Sequence, residues 1–383
     1  MAGGRQQIVI LGGGVGGVVA ATKIGRSLGS KHDVILIDRN ADHIFMPAFL
    51  SLMVGQCRVV DISRRLKNLE RRQVRVLQAE ILGLDPLRRQ VLLESTAIDY
   101  DYLIVAMGLR SVPEVIPGFT EGAHHAWELE AALRFQRSLE FFNGGRILIG
   151  MPPGPTRCPP ALYEAQWILD SYFRKRGLRD RVDIDFFTPE PEPAGEARAS
   201  AVWLDTQNKN RKINSHYEFV AQSIDPEDRT VTGLYGYRLS YDLLFFVPPH
   251  RPPQALLDSG LAEKETGIRV DYDTLATKWE NIYAIGDCAD MPASRAAGVA
   301  YQEAHVVAHN LAVEVTGRGE KNALRLHDLN FISTGPGHAA AVGTHYPLGW
   351  PPFGSLETRS SAPSRRNHWA KTAFKKWWLW RYF

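Results

Sequence analysis

A glycine-rich turn near the N terminus places the strongest constraint on the fold of this chain. Residues Gln7–Leu11 read QIVIL, a short β-branched run typical of a buried strand, and GGGVGG follows before a helix-compatible stretch at 18–28. In such a unit Gly12 makes the tight turn, Gly14 lets the backbone approach a pyrophosphate, and Gly17 allows close helix packing. The pattern predicts a Rossmann-like dinucleotide-binding unit; a glycine-rich loop of purely structural use is the alternative.

The next predicted strand ends in an acidic residue. The apolar run at 34–37 is followed by Asp38, about 20 residues beyond Gly17. A carboxylate at that distance suits a hydrogen bond to a ribose hydroxyl of the nucleotide. Arg39, the next residue, is a further candidate contact. The N-terminus of the intervening helix would bind the anionic pyrophosphate.

The composition is that of a folded globular protein. The chain has 383 residues, 44% of them hydrophobic and 10% aromatic, which excludes a disordered or collagen-like chain and allows two or three domains. Three cysteines are too few for a disulfide framework. No run approaches the roughly 20 apolar residues of a membrane span, and we expect no signal peptide because a strand begins at once. The net charge of +3 gives no support for a nucleic-acid partner.

Two later segments resemble the FAD-contacting strands of flavoproteins with two dinucleotide-binding domains. Residues 100–108 (YDYLIVAMG) and 281–290 (NIYAIGDCAD) are both strand patterns with a glycine at or after their ends. The candidate cofactor contacts in them are Ala106, Gly108, Gly286 and Asp287. In that family the aspartate bonds the flavin ribityl chain, and the following helix, here 296–315, directs its N-terminal dipole at the flavin edge that becomes negative on reduction. The resemblance implies FAD in the first site.

A second copy of the strand and turn lies at 145–155 (GRILIGMPPGP) and has lost two of its glycines. Gly150 stands at the first glycine position, and Pro152 and Pro155 stand at the other two. Proline has no N–H, and its ring fills the space in which a pyrophosphate would lie. We therefore expect a duplicated fold unit that does not hold NAD(P)H. The alternative is a distorted turn that still binds a nucleotide with help from Glu190.

The altered turn carries a cysteine that could be chemically active. Cys158 lies just before a helix predicted to begin near Pro160, and Arg157 is adjacent. A helix N-terminus and a neighbouring cation both lower the pKa of a thiol, which predicts a thiolate. A buried structural cysteine is the alternative. Glu164, about one helical turn further, is a candidate proton acceptor or simply a solvated helix residue.

The segment at 144–191 resembles that of the sulfide:quinone oxidoreductases and of the flavoprotein subunit of flavocytochrome c sulfide dehydrogenase. In those proteins a proline-rich turn, a cysteine and a P-x-x-Y-E continuation carry a redox-active cysteine at the flavin face. The resemblance spans most of the chain and implies an α/β, tandem Rossmann-like fold, FAD, a sulfide donor and a quinone acceptor. We expect a first part of an FAD-binding domain (1–112), a second Rossmann-like domain (113–240), the rest of the FAD-binding domain (241–320) and a C-terminal quinone and membrane region (321–383).

Only one of the three cysteines of that family has a counterpart. The partner of Cys158 would fall at 330–335 (NFISTG) and the third cysteine at 124–128 (HHAWE), and neither segment has a cysteine. Cys57 is expected to pack, and Cys288 to pack near the FAD rather than reach the sulfide face. With Cys158 alone, a persulfide would leave to a second molecule such as cyanide, sulfite or a thiol, or the donor is not sulfide.

The C-terminal segment is basic and aromatic. Residues 365–383 read RRNHWAKTAFKKWWLWRYF, with six basic and no acidic residues, so the rest of the chain has a net charge of −3. Residues Phe374, Trp377, Trp378 and Arg381 recur at helical spacing. This predicts an amphipathic helix in a membrane interface, too short to span. Packing on the protein's own core or on a second subunit is the alternative.

The HWAKTAF part of this segment resembles the C-terminal anchor of sulfide:quinone oxidoreductases. That resemblance implies quinone contacts at Lys371 and Phe374, and Gln302 is a further candidate. Together these features predict a peripheral membrane enzyme on the cytoplasmic side, without a metal. A type II NADH:quinone oxidoreductase and a non-catalytic flavoprotein sensor or subunit are the alternatives, and a homo-oligomer or a haem-protein partner stays open.

Overall fold

Two parallel sheets form the framework of the chain. The computed structural model describes residues 4–154, 156–192, 198–346 and 357–383. In spatial order the first sheet contains β21 (Ile282–Ala284), β9 (Tyr102–Val105), β1 (Gln7–Leu11), β2 (Asp33–Asp38) and β5 (Arg75–Gln78). The second contains β13 (Ile213–His216), β12 (Val182–Phe187), β11 (Gly145–Gly150) and β17 (Leu243–Phe246). The predicted tandem Rossmann-like architecture is thus confirmed.

Smaller antiparallel sheets surround this framework. Three have three strands: β6 (Ile81–Asp85), β7 (Gln90–Leu93) and β8 (Ala97–Asp99); β14 (Ala221–Asp225), β15 (Thr230–Gly233) and β16 (Arg238–Ser240); β22 (His327–Gly335), β23 (His338–His345) and β24 (Glu357–Ser360). Three have two strands: β3 (Asp42–Ile44) and β4 (Ser63–Arg65); β10 (Arg110–Ser111) and β18 (His250–Arg251); β19 (Ala262–Glu263) and β20 (Gly267–Ile268).

The helices of the described residues connect the strands and cover the sheets. They are α1 (Val15–Leu28), α2 (Phe49–Met53), α3 (Phe119–Gly122), α4 (Leu129–Phe141), α5 (Pro160–Lys175), α6 (Arg198–Asn210), α7 (Gln254–Asp258), α8 (Ala297–Thr316) and α9 (Arg365–Tyr382). The helix predicted at 296–315 is therefore found as α8, displaced by one residue, and the helix predicted after Cys158 begins at Pro160.

Burial on both faces explains why the central strands are continuous apolar runs. In β1, residues 8–11 are fully buried, and Ile8 pairs in parallel register with Val34 on one side and Tyr102 on the other. Strands covered on both faces have no solvent-facing positions to alternate with. Here α1 and α8 cover one face of the first sheet, and the β6–β8 sheet with α7 covers the other. The largest apolar cluster joins the first sheet, the second sheet and α9 through residues such as Ile10, Ile149 and Trp378.

The C-terminal helix α9 has two unlike faces. Trp378, Leu379 and Tyr382 are buried in the large apolar cluster, whereas Trp369 and Trp380 are 68% and 76% exposed. The predicted aromatic stripe is therefore wrong in one member. Successive residues of a helix are separated by about 100°, which turns Trp378 to the inside while its neighbour Trp377 stays partly exposed. None of the helices in the described ranges is both long and apolar enough to cross a bilayer.

Candidate active site

The carboxyl ends of β1, β9 and β21 meet at one edge of the first sheet because these strands are parallel neighbours. Gly12 follows β1 with φ +101, and a Cβ there would lie 2.4 Å from the carbonyl oxygen of Ala106. A Cβ on Gly17 would lie 1.8 Å from the carbonyl oxygen of Gly12. Only glycine permits these two approaches, so both residues are required to close the turn against β9 and α1.

Gly14 differs from its neighbours because the space in front of it is open. It is the residue that precedes α1, and no heavy atom lies within 4 Å of where its Cβ would be. Asp38 accepts hydrogen bonds from the backbone N–H groups of Gly13 at 2.6 Å and Asn40 at 2.7 Å. An open backbone at a helix N-terminus, with a carboxylate beside it, fits the pyrophosphate and ribose of a dinucleotide. Arg39 points away, to Glu80 at 3.9 Å on the exposed surface.

The other predicted cofactor contacts lie on the same edge. Gly108 and Gly286 both have positive φ, at +63 and +71, and no heavy atom lies within 4 Å of a Cβ position on Gly108. Asp287 follows in the turn after β21, where burial raises the pKa of its carboxyl and the neighbouring Arg157 and Arg295 oppose that shift. Its Oδ2 lies 3.1 Å from Nε of Arg157.

Arg157 connects the second turn to this edge. Besides Asp287, its guanidinium donates to the carbonyl oxygen of Leu109 and, at 3.2 Å, to that of Trp127. The indole N–H of Trp127 donates in return to the carbonyl oxygen of Arg157 at 2.8 Å. Arg157 is therefore engaged on both its side chain and its backbone, and its charge faces Asp287 rather than the neighbouring thiol.

The second turn is closed where the first is open. A Cβ on Gly150 would lie 1.9 Å from the ring of Phe187, so that ring covers the strand end next to Pro152. A dinucleotide pyrophosphate needs this space and free backbone N–H groups, and Pro152 supplies none. This geometry agrees with the prediction that the second unit does not hold NAD(P)H. Pro155 lies outside the described residues.

The thiol of Cys158 is in a different electrostatic state from the one predicted. Burial raises its pKa to about 12, and the carboxylates of Asp328, Glu164 and Asp287 raise it too, opposed by the N–H of Ala161. The prediction of a lowered pKa is therefore wrong. Arg157 faces Asp287, and Pro159 and Pro160 remove two N–H donors from the start of α5. Cys158 also has φ +51, a left-handed backbone unusual for a residue with a side chain.

A carboxylate stands on the strand where the family pattern has a cysteine. Asp328, in β22, is the carboxylate with the largest effect on the pKa of Cys158, and it accepts from Ser294 Oγ and, at 2.7 Å, from Asn330 Nδ2. The sequence alone does not predict this role for Asp328, because a single aspartate outside any motif has no spacing to mark it. On this strand the thiol therefore has an acidic side chain near it.

The second acidic neighbour of the thiol joins α5 to α9. Glu164 is 8% exposed and accepts a charged hydrogen bond from the ammonium of Lys371, which also donates to Ser333 Oγ at 3.2 Å. The structure thus brings together Glu164, the predicted proton acceptor near Cys158, and Lys371, a predicted quinone contact. Phe374, the other predicted quinone contact, is 43% exposed and has its ring 6.5 Å from that of Phe45.

Gln302 lies further from this cluster and its amide is engaged. Its Nε2 donates to the carbonyl oxygens of Gly298 at 3.0 Å and His327 at 2.7 Å, and its Oε1 accepts from the N–H of His327 at 3.0 Å. These bonds fasten α8 to β22.

The other two cysteines pack as expected. Cys288 is fully buried on the opposite face of the first sheet and donates to the carbonyl oxygens of Val105 and Ile285, and burial raises its pKa to about 12. Cys57 is half-buried and donates to the carbonyl oxygen of Ala48 at 3.8 Å. All three cysteines are free thiols.

The raised pKa of Cys158 predicts a steep pH profile for its alkylation. Because only the thiolate reacts, the rate with iodoacetamide should rise about tenfold per pH unit between about pH 7 and 10, whereas a free cysteine levels off above about pH 9. Mass spectrometry of the modified peptide measures this rate, and the Cys158→Ser variant gives the background from the other thiols. A plateau reached below about pH 8 would show a thiolate and contradict the assignment.

Comparison with known proteins agrees with this geometry. The sequence profile of the family described as "Pyridine nucleotide-disulphide oxidoreductase" matches residues 6–143 and 176–306. The sulfide-quinone reductase of Aquifex aeolicus is 26% identical over 401 residues, which cover 98% of this chain and 91% of that protein. The mitochondrial sulfide:quinone oxidoreductase of Dictyostelium discoideum is 26% identical over 319 residues, which cover 80% and 70% of the two chains.

Solved structures show the same fold. The X-ray structure of the sulfide:quinone oxidoreductase from Aquifex aeolicus superposes with a TM-score of 0.86 and 25% identity, covering 99% of this chain and 91% of that one. NDH2 from Plasmodium falciparum superposes with a TM-score of 0.74 at 14% identity, which is a likeness of fold alone. The resemblance to sulfide:quinone oxidoreductases is confirmed, and the chain belongs to the pyridine nucleotide-disulphide oxidoreductase family.

Proposed function

We propose that this protein is an FAD-dependent oxidoreductase that passes two electrons from sulfide, or a related small sulfur donor, to a quinone at a membrane surface. The observation that carries the proposal is the position of Cys158. Its thiol lies among the carboxylates of Asp287, Glu164 and Asp328, and Asp287 belongs to the edge of the first sheet that fits a dinucleotide. The relatives named as sulfide:quinone oxidoreductases support the same donor and acceptor.

The residues at the first edge would hold the FAD in two groups. Gly12, Gly14, Gly17 and Asp38 would contact the adenosine and pyrophosphate, and Ala106, Gly108, Gly286 and Asp287 would contact the flavin half. FAD bound there supplies the capacity to take up and return two electrons. Arg39 would contribute at most a contact from the surface, because its side chain points to Glu80.

Cys158 would bind the sulfur of the donor, and its neighbours would manage the protons. A thiol with a pKa near 12 keeps its proton at neutral pH, so a base must take that proton when the sulfur reacts. Glu164 and Asp328 are the carboxylates placed to accept it. No second cysteine faces Cys158 on β22, so oxidised sulfur would leave to a small acceptor such as cyanide, sulfite or a thiol rather than grow as a bridge.

The acceptor side would lie on α9. Lys371 donates to Glu164 and Ser333, and its ammonium is therefore a cation and a proton donor between α5, which follows Cys158, and α9. A quinone gains two protons on reduction: Lys371 would donate one, and Glu164 would pass on the one that it accepts from Cys158. Phe374 would provide an aromatic contact from the exposed side. Gln302 would contribute only if its bonds to His327 opened.

The outer face of α9 would attach the protein to a membrane. Trp369 and Trp380 are largely exposed, and Arg366 and Lys376 lie on the same side of the helix. Exposed indoles beside cations suit the interface of an anionic bilayer, where the rings lie at headgroup depth. Because Trp378 and Leu379 hold the inner face in the core, the helix would lie along the membrane without leaving the protein.

The glycine pair in the first turn tests the cofactor assignment. Gly14→Ala adds a methyl group to open space, so we expect the FAD-free protein to keep its Tm while FAD affinity falls about tenfold or more. Gly17→Ala pushes a methyl group against a backbone oxygen and should lower the Tm of the FAD-free protein as well. Thermal unfolding and flavin fluorescence measure both. Undiminished FAD affinity in Gly14→Ala would place the cofactor elsewhere.

The donor is tested by anaerobic bleaching of the bound flavin. We expect sulfide to bleach it rapidly and NADH to bleach it at least about 100 times more slowly, because the second turn is closed by Pro152 and Phe187. Cys158→Ser should slow bleaching by sulfide by about 100-fold or more while leaving the flavin bound. Bleaching by NADH at a rate comparable to that with sulfide would favour a type II NADH:quinone oxidoreductase instead.

The membrane contact is tested with vesicles of phosphatidylcholine and phosphatidylglycerol. Loss of two exposed indoles in Trp369→Ala/Trp380→Ala should weaken cosedimentation about tenfold or more with little change in Tm. Tyr235→Ala removes an aromatic side chain that is 88% exposed outside α9, and it should bind like the wild type. Equal binding by all three proteins would refute the contact.

A further inference from the structure

A buried histidine connects α9 to the glycine turn of the first sheet. His43, in β3, is 1% exposed, and its Nδ1 lies 2.8 Å from the carbonyl oxygen of Gly13. Its Nε2 lies 3.4 Å from Nε1 of Trp378 in α9, and its ring stacks on that of Phe383 with 5.2 Å between centroids. Trp378 is 1% exposed, so all of these contacts are shielded from water.

The partners of His43 fix its tautomer. A carbonyl oxygen can only accept a hydrogen bond and an indole N–H can only donate one. Nδ1 of His43 therefore carries the proton and donates to Gly13, while Nε2 accepts from Trp378. The imidazole stays neutral around pH 7, since burial lowers its pKa to about 4. Both nitrogen atoms of the imidazole are thus hydrogen-bonded, and the two bonds connect α9 to the glycine turn.

These two hydrogen bonds set the direction of the Gly14 N–H. The carbonyl of Gly13 and the N–H of Gly14 belong to one planar trans peptide group, so they point in opposite directions. With the carbonyl held by His43, the Gly14 N–H is directed away from the imidazole. The preceding peptide is held as well, because the Gly13 N–H donates to Asp38 at 2.6 Å. Gly14 is the residue at the start of α1 with open space in front of it.

We propose that His43 and Trp378 are positioning residues that orient the Gly14 N–H for the pyrophosphate of FAD. Docking of α9 thereby tightens cofactor binding at a turn that α9 does not itself form. The inference rests on the proposed binding of FAD at the first turn. It gives the C-terminal helix a role besides membrane and quinone contact, since its inner face supports the cofactor site. A donor that is already oriented binds an anion without the cost of ordering the loop.

The experiment measures FAD affinity in the full chain, in solution and without vesicles. Trp378→Phe keeps an aromatic ring but removes the indole N–H together with part of the ring system, so the FAD dissociation constant should rise about fivefold. His43→Phe keeps a buried ring but leaves the Gly13 carbonyl without its donor, and the constant should rise about tenfold or more. Flavin fluorescence titration of the FAD-free protein gives these constants, and thermal unfolding of the same samples gives their Tm.

Two further variants distinguish orientation from general loosening. His43→Gln can still donate to Gly13 and accept from Trp378, so it should retain FAD better than His43→Phe. In the double variant His43→Phe/Trp378→Phe, the second substitution should not raise the FAD dissociation constant further, because the hydrogen-bond connection is already lost at His43. Trp203→Phe is the matched control, since it removes an indole N–H in α6, where Trp203 contacts Trp167; its FAD affinity should be unchanged.

The outcomes separate this inference from the proposed function. If wild-type protein binds FAD and Trp378→Phe binds it equally tightly, the inference is overturned while the proposed function stands. A lower Tm of FAD-free Trp378→Phe with an unchanged FAD dissociation constant would likewise overturn it, because the bond would then be purely structural. A wild-type protein that binds no FAD would overturn both. Weaker binding in His43→Phe and Trp378→Phe, non-additive and partly restored in His43→Gln, would support the inference.

Discussion

The buried ion pair between Arg157 and Asp287 is the contact on which the arrangement of the site depends. Each side chain is about 15% exposed or less, and the pair joins the turn of the second unit to the edge of the first sheet. Removing charges from water is costly, and the carbonyl oxygens of Leu109 and Trp127 offset that cost by accepting from the same guanidinium. Because Arg157 is fixed on both sides, the next residue, Cys158, is held at the same edge.

The same pair explains the protonation state of the thiol. A cation beside a cysteine favours the thiolate, but this cation is already paired with Asp287. What remains around the sulfur is burial and carboxylates, and both favour the protonated form. The site therefore differs from a thiolate site because Cys158 keeps its proton in the resting protein. Reaction at the thiol is then coupled to proton movement toward those acids.

The sequence was sufficient for features that follow from local chemistry. The strands Gln7–Leu11 and Gly145–Gly150, the three glycines of the first turn and the start of α5 depend on β-branched runs, missing Cβ atoms and proline, all of which are visible in the residues themselves. The features that were mispredicted or missed depend on tertiary neighbours. Arg157 is next to Cys158 in the sequence, but that position does not reveal that its side chain pairs with Asp287. Helical spacing did not show which of the tryptophans would face the core, and nothing in the sequence marked Asp328 or His43.

The second turn of the fold is closed in two separate ways. Pro152 removes a backbone donor, and the ring of Phe187 lies against Gly150. A glycine in place of Pro152 alone would leave the ring where it is, and a shorter side chain in place of Phe187 alone would leave the proline. No single substitution would therefore open the turn, because the proline and the ring close it separately. Pro152 and Phe187 would have to change together before this turn could take up a dinucleotide.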